Sequence, residues 1–263
     1  MTTTDLATLH ARRVPPLGAL NLTLLRLELR RLLRNRRTVI FTLVVPVMFF
    51  LLFGLNLPQG TDRFPHGNAT AYVMISMGVY GAMLGTTSTG ASVSIERSLG
   101  WSRQLRLTPL NPIAYIAVKL LLALAIGLMS VTAVYAAGAF THKASMDTAL
   151  WFETAAIAWV GSLTFAAFGL FMGYLLPGEN VMQILGPGLA LLAILGGLFF
   201  PLDDGSVMQQ IGQFTPMFGL SALVHAPLTG KSFDPLWVVN VVGWLVVFAA
   251  GAVWRFRKDT ARV

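Results

Sequence analysis

Six long apolar stretches, each nearly without charge, limit most strongly how this 263-residue chain can fold. The hydrocarbon core of a bilayer, about 30 Å thick, is crossed by roughly 20 apolar residues in an α-helix. A helix also pairs its own backbone groups, for which lipid offers no partner. The sequence therefore predicts an all-α membrane protein with six transmembrane helices, at 38–57, 71–94, 112–140, 150–176, 181–200 and 235–254.

The distribution of positive charge predicts the orientation, because cytoplasmic flanks of spans carry an excess of lysine and arginine. Of the 19 such residues, all but Arg63, Lys143 and Lys231 lie before the first stretch, at the junction of the second and third, or in the tail at 255–263. We therefore expect both termini in the cytoplasm of a bacterial cell, with the protein in the plasma membrane. Basic residues beside spans meet anionic lipid headgroups, so the net charge of +8 does not indicate a nucleic-acid partner.

The N-terminal region divides into a segment predicted to be disordered, 1–16, and an amphipathic helix at 17–37 that leads into the first span. This helix has an apolar stripe and a basic row beside it, formed by Leu22, Leu25, Leu29, Arg26, Arg30, Arg34 and Arg37. Such a pattern favours a helix lying in the membrane interface, with guanidinium groups reaching lipid phosphates. A soluble helix packed on a partner is the alternative.

The second span carries an unusual number of hydroxyl and small side chains. Four residues share one of its faces and are candidates for a translocation path, namely Ser76, Tyr80, Met83 and Thr87. Hydroxyl groups in spans also bond to their own or a neighbouring helix, and both interpretations stay open. The pairs Gly81/Gly85 and Gly169/Gly173 lie one turn apart and predict close helix packing within one subunit.

Prolines and polar segments predict irregularities in the later spans and outside the membrane. Pro46 is expected to weaken the first span, and Gly186-Pro187-Gly188 to bend or break the fifth. The segment 201–234 is too polar to span. We expect two short external helices there, separated near Thr215-Pro216, that dip into the outer leaflet.

Few residues offer catalytic or metal-binding chemistry. The chain has no cysteine, which excludes disulfides and thiolate sites. Four histidines lack metal-ligand spacing and are each expected to be solvated or interfacial, namely His10, His66, His142 and His225. The segment 225–232 reads HAPLTGKS but lacks the first glycine and the preceding strand of a nucleotide-binding loop. We therefore predict no catalytic, cofactor-binding or metal-binding residue and no ATP hydrolysis by this chain.

The cytoplasmic loop at 95–110 combines an acid, arginines, a tryptophan and leucines at helical spacing. Tryptophan and arginine are frequent anchors of protein interfaces. The composition fits a docking surface and also an ordinary loop at headgroup level, and it does not decide between them.

Short sequence motifs in this loop resemble those of a known protein family and favour the docking surface over an ordinary loop. Glu96-Arg97, Gly100 and the run Leu-Arg-Leu-Thr-Pro-Leu at 105–110 resemble the loop after the second span in permease subunits of type-2 ATP-binding-cassette exporters, including multidrug and antibiotic-resistance members. The resemblance extends over nearly the whole chain: a basic N-terminal helix, six spans and an external insertion before the last. The family often has a second acid after the glycine, where this chain has Trp101-Ser102-Arg103.

The resemblance implies a division of labour. The chain would form the translocation path as a homodimer of permeases, and two copies of a separate ATPase would bind ATP and magnesium. The segment 96–106 would be a coupling helix inserted into the ATPase, and 17–37 a connecting helix bracing the same partner. The implied docking residues are Glu96, Arg97, Gly100, Trp101, Arg103 and Arg106.

Cargo and function class rest on weaker signals. Methionines and aromatics in the spans form adaptable apolar surfaces, which favours a hydrophobic or amphipathic cargo, drug-like or lipid-like.

Three alternative function classes remain. A secondary carrier working alone would be expected to have an intramembrane acid. An intramembrane serine hydrolase would need a serine beside a histidine, and no predicted span contains histidine. A membrane anchor for a signalling partner would not transport at all.

Overall fold

The structure is a computed structural model that describes residues 22–57, 63–100, 112–178, 181–203 and 205–260. The segment predicted to be disordered, 1–16, lies outside the described residues, as do Trp101, Arg103 and Arg106 of the predicted coupling helix.

Helices account for most of the described residues, with one small β-hairpin. The strands are β1 (Arg63–Phe64) and β2 (Gly67–Asn68), paired antiparallel. The helices in chain order are α1 (Leu22–Arg34), α2 (Arg36–Phe49) followed by a π-helical segment (Phe50–Gly54), α3 (Ala69–Ala91), α4 (Val93–Ser98), α5 (Pro112–Thr141), α6 (Thr148–Gly161), α7 (Leu163–Leu175), α8 (Val181–Leu195), α9 (Val207–Gly212), α10 (Phe218–Thr229) and α11 (Pro235–Thr260).

Four helical segments within the described residues are long and apolar enough to cross a membrane: Ala69–Ser98, Tyr115–Thr141, Thr148–Leu175 and Pro235–Lys258. They coincide with the second, third, fourth and sixth predicted spans. The first and fifth predicted spans contain shorter apolar helices, Ile40–Gly54 and Gln183–Leu195. The all-α membrane architecture is therefore confirmed, and the number of six spans stays a prediction.

The segment α3–α4 is the central span, enclosed by the other helices. It packs along α5 and α7 and also contacts α2, α6 and α10, whereas α11 lies at the periphery with most of its surface exposed. Glycines explain the close approach: a Cβ at Gly169 would overlap the carbonyl of Thr87, and one at Gly81 would overlap the hydroxyl of Ser130. The predicted packing of both glycine pairs within one subunit is confirmed.

Pro46 lies inside α2, as the sequence predicts, and its missing N–H leaves the carbonyl of Thr42 without the usual helical partner. The hydroxyl of Ser130 on α5 donates to this carbonyl at 3.2 Å. The helix continues past Pro46 and changes to π-helical geometry at Phe50–Gly54.

The fifth predicted span is shorter than expected. Helix α8 runs through Pro187 and ends at Leu195, so a break at Gly186-Pro187-Gly188 is wrong, and the alternative of a bend there stays a prediction. Gly197 then adopts a left-handed conformation, φ 70°, which glycine favours. Two short helices, α9 and α10, follow on either side of Thr215-Pro216 as predicted, and their depth in the membrane stays a prediction.

Candidate functional site

The Glu96-Arg97 pair lies at the end of the central span rather than at the start of a separate helix. After a short irregularity at Ser92, α4 continues from α3 to Ser98. Gly100, with φ 74°, provides the left-handed residue that commonly follows a helix C-terminus. The boundary predicted for the coupling helix, 96–106, is therefore corrected at its beginning, and its part beyond Gly100 lies outside the described residues.

Glu96 is directed into the subunit. Its side chain belongs to a residue only 5% exposed, and its Oε1 lies 2.5 Å from Nζ of Lys119 on α5. The hydroxyl of Tyr115, one turn earlier on α5, donates to Oε2 of Glu96. The carboxylate of Glu96 is therefore paired with groups of the same chain, and its predicted contact with a partner ATPase stays a prediction.

Helix α1 contributes two further charged groups to the same place. Nζ of Lys119 lies 3.0 Å from Oε2 of Glu28, and the guanidinium of Arg31 lies 3.5 Å from Glu28 and 3.6 Å from Glu96. We call Glu28, Arg31, Glu96, Tyr115 and Lys119 the ionic cluster. Two acids face two bases, so the cluster is neutral, as buried ionisable groups require.

Arg97 anchors the other side of α4. Its guanidinium donates to the carbonyls of Gly173, at 3.2 Å, and Tyr174, at 2.9 Å, and lies 5.5 Å from the centre of the Tyr174 ring. These carbonyls belong to the last turn of α7, where the helix dipole favours a cation. Glu96 and Arg97 together tie α4 to α1, α5 and α7.

The connecting helix has the predicted two-sided character within α1. Leu25 and Leu29 are half-buried, and its basic row at 26, 30 and 34 is exposed. Helix α1 ends at Arg34 and Arg37 lies on α2, and the side chain of Arg37 lies outside the described part of the structure. Leu22 begins α1, and its side chain lies outside the described part of the structure.

The four candidate path residues lie in the core of the subunit. Ser76, Tyr80, Met83 and Thr87 are all buried. The hydroxyl of Ser76 lies 2.7 Å from the carbonyl of Leu198, and that of Thr87 donates to the carbonyl of Phe165 at 3.2 Å. Ser76 and Thr87 therefore bond to neighbouring segments, as the alternative interpretation has it, and the role of the four residues in a translocation path stays a prediction.

His225 is buried, so its predicted exposure is wrong. Its ring stacks on Tyr72 with centres 3.9 Å apart, Nε2 lies 3.0 Å from Oγ of Ser76, and Nδ1 lies 2.9 Å from the carbonyl of Ser221. Burial lowers the pKa of His225, which lies on α10 outside the four candidate spans, to about 4, and this keeps the ring neutral at pH 7. The Ser76 hydroxyl is enclosed by these groups and has no surface on which a substrate could approach, so this pair joins helices and offers no hydrolytic site.

Within the described ranges, no group of three His, Cys, Asp or Glu residues could hold a metal ion. In the sequence, Lys119 was one of the basic residues counted near the junction of the second and third stretches, where it served only to predict orientation. No role was predicted for Glu28 or Tyr115. A lysine inside an apolar span was the available signal, because such a charge needs a counter-ion.

Comparisons with known proteins agree with this architecture. Residues 20–226 match the protein family described as ABC-2 type transporter. The chain is 26% identical over 242 residues to a protein of Bacillus subtilis (strain 168) named "Putative transport permease YvfS", and the match covers 89% of this chain and 96% of that protein.

Proposed function

Because the chain belongs to the ABC-2 type transporter family, we propose that it is the transmembrane permease subunit of an ATP-driven exporter, powered by a separate ATPase. The observation that supports this most directly is the geometry of α4. The helix that carries the motif is an extension of the central span, and side chains of α1, α5 and α7 hold it. A push on this end would therefore reach several spans together.

The proposed docking surface differs from the one that the motif alone indicates. The Glu96 carboxylate faces inward, whereas Ile95 on α4 and Leu99, the residue just after α4, are 44% and 71% exposed. We propose that these two side chains, with Trp101, Arg103 and Arg106 beyond them, enter the ATPase. The exposed basic face of α1 would brace the same partner or meet anionic headgroups.

The finer features of the assembly belong to the same proposal: six spans, both termini in the cytoplasm of a bacterium, two permease copies and two ATPase copies. With the candidate path residues inside the core, the path would run between two copies, along faces that each subunit exposes. Those faces are rich in large apolar side chains, which supports a hydrophobic or amphipathic cargo.

The test is co-purification and transport with candidate ATPase subunits of the source organism. Vesicles containing both proteins should move ethidium or a fluorescent phospholipid analogue only with ATP, and vesicles with the permease alone should not. Transport by the permease alone in an ion gradient would instead establish a secondary carrier. Co-purification without any transport would favour the membrane anchor.

The docking surface has its own variant. Ile95→Ser with Leu99→Ser should abolish co-purification of the ATPase. The matched control is Ile211→Ser with Phe214→Ser, an exposed apolar pair at the external helix α9, which should leave it intact. Retention of the ATPase in the α4 variant would reject the assignment, and so would its loss in the control.

A further inference from the structure

The geometry points to Lys119 as the residue that transmits movement of α1 and α4 to the third span. Lys119 is a positioning residue that acts through Glu28 and Glu96. This inference deepens the proposed function and rests on it, since it assumes that an ATPase moves the cytoplasmic helices.

The first support is the position of the ammonium group. Lys119 lies about two turns into α5, and the residue is 2% exposed. Its Nζ lies 3.0 Å from a carboxylate oxygen of α1 and 2.5 Å from one of α4. An ammonium group has three donors, so one side chain on the third span holds both cytoplasmic helices at once.

The second support is the distribution of exposure within the ionic cluster. The side chain of Arg31 is 54% exposed, whereas those of Glu28 and Glu96 are 13% and 7% exposed. Ion pairs of an exposed arginine are screened by water and contribute little. The buried contacts of Lys119 are therefore the ones that hold the three helices in register.

The third support is the penalty for separating these groups. Separating a buried charge from its partner costs far more free energy than separating an exposed pair. Helices α1 and α4 and the first two turns of α5 are therefore held together as one unit. Apolar packing at this place would permit sliding, whereas directed hydrogen bonds to two carboxylates fix the relative positions of the helices. A displacement of α4 or α1 by an ATPase is then passed to α5.

The test uses the permease–ATPase complex in vesicles and a reporter on the third span. The chain has no cysteine, so Leu121→Cys, at a position 44% exposed on α5, carries a single bimane label. ATP should shift the bimane emission in this labelled protein. Glu28→Gln keeps the side-chain volume and a hydrogen-bond acceptor, and it leaves the Glu96–Lys119 pair neutral, so folding is expected to survive.

In Glu28→Gln the amplitude of the ATP-dependent shift should fall about tenfold, while co-purification and the rate of ATP hydrolysis stay at the unsubstituted level. Adding Glu28→Gln to Lys119→Met should lower the amplitude no further than Lys119→Met alone, because both act on one link. Glu153→Gln, the same exchange at an exposed position on α6, is the control and should leave the shift unchanged.

An unchanged shift in Glu28→Gln would overturn the inference, and so would loss of co-purification, which would make Glu28 a docking residue. A shift that also disappears in Glu153→Gln would overturn it as well. Failure of the proposed function is seen separately: the labelled protein without these substitutions would then neither co-purify with an ATPase nor respond to ATP. Co-purification without an ATP-dependent shift would reject the inference alone.

Discussion

Replacing Lys119 by methionine removes the one buried cation of the ionic cluster with little change of side-chain volume. Glu96 and Glu28 then lose contacts of 2.5 Å and 3.0 Å. Glu96 keeps the hydroxyl of Tyr115 and the exposed guanidinium of Arg31 at 3.6 Å, neither of which neutralises a buried carboxylate fully.

Removing one partner of a buried ion pair typically costs about 3–5 kcal/mol, because the remaining charge is left uncompensated. The guanidinium of Arg31, 3.6 Å from Glu96, offsets part of this, so we expect about 3 kcal/mol. For a chain of this length 1 kcal/mol corresponds to roughly 2–4 °C in melting temperature. Lys119→Met should therefore melt about 6–12 °C lower.

The assay is thermal unfolding of the purified permease in detergent, followed for Lys119→Met and for the double variant Glu96→Gln/Lys119→Met. Neutralising Glu96 removes the uncompensated charge, so the double variant should recover at least half of the loss. A single variant as stable as the unsubstituted protein would refute the reasoning. So would a double variant as unstable as the single one.

Other substitutions test the helix packing and the buried histidine His225. Gly169→Ala places a Cβ on the Thr87 carbonyl and should cost about 2 kcal/mol or more, whereas Gly243→Ala, in open space on α11, should change the melting temperature little; equal effects would contradict the close crossing of α3 and α7. The lowered pKa of His225, about 4, means that the unfolded chain binds more protons between that value and about 6.5. The contribution of His225 to the free energy of unfolding should therefore be fully present above pH 6.5 and fall by about 1.4 kcal/mol per pH unit towards pH 4. The substitution His225→Asn should remove this part of the pH dependence. An unchanged pH profile in His225→Asn would contradict the burial.

Most helices could be predicted from local sequence patterns, because the length, the apolarity and the small residues of a span can be read within that segment alone. The second, third, fourth and sixth spans appear near their expected bounds, and Gly81 and Gly169 pack as their spacing predicts. The break predicted at Gly186-Pro187-Gly188 was wrong, because α8 continues through Pro187. Proline disfavours a helix interior, but this local preference did not decide the structure of the segment.

The site was harder to predict because its members are distant in the chain. Glu28 and Lys119 are 91 residues apart, and Ser76 and His225 are 149 apart. The local sequence around each of these residues does not indicate its partner. Their partners become visible only when the helices pack, and for Glu96 this places the carboxylate against Lys119 of the same chain.

The most direct test of the account is the accessibility of position 99 in cells. Leu99 is exposed at the end of α4, and the account places it in the cytoplasm within the docking surface. The single-cysteine protein Leu99→Cys should react with a membrane-permeant maleimide and not with an impermeant one, and bound ATPase should protect it. Lys231→Cys, on the predicted external side, should react with both reagents. Labelling of position 99 by the impermeant reagent in intact cells would contradict the account.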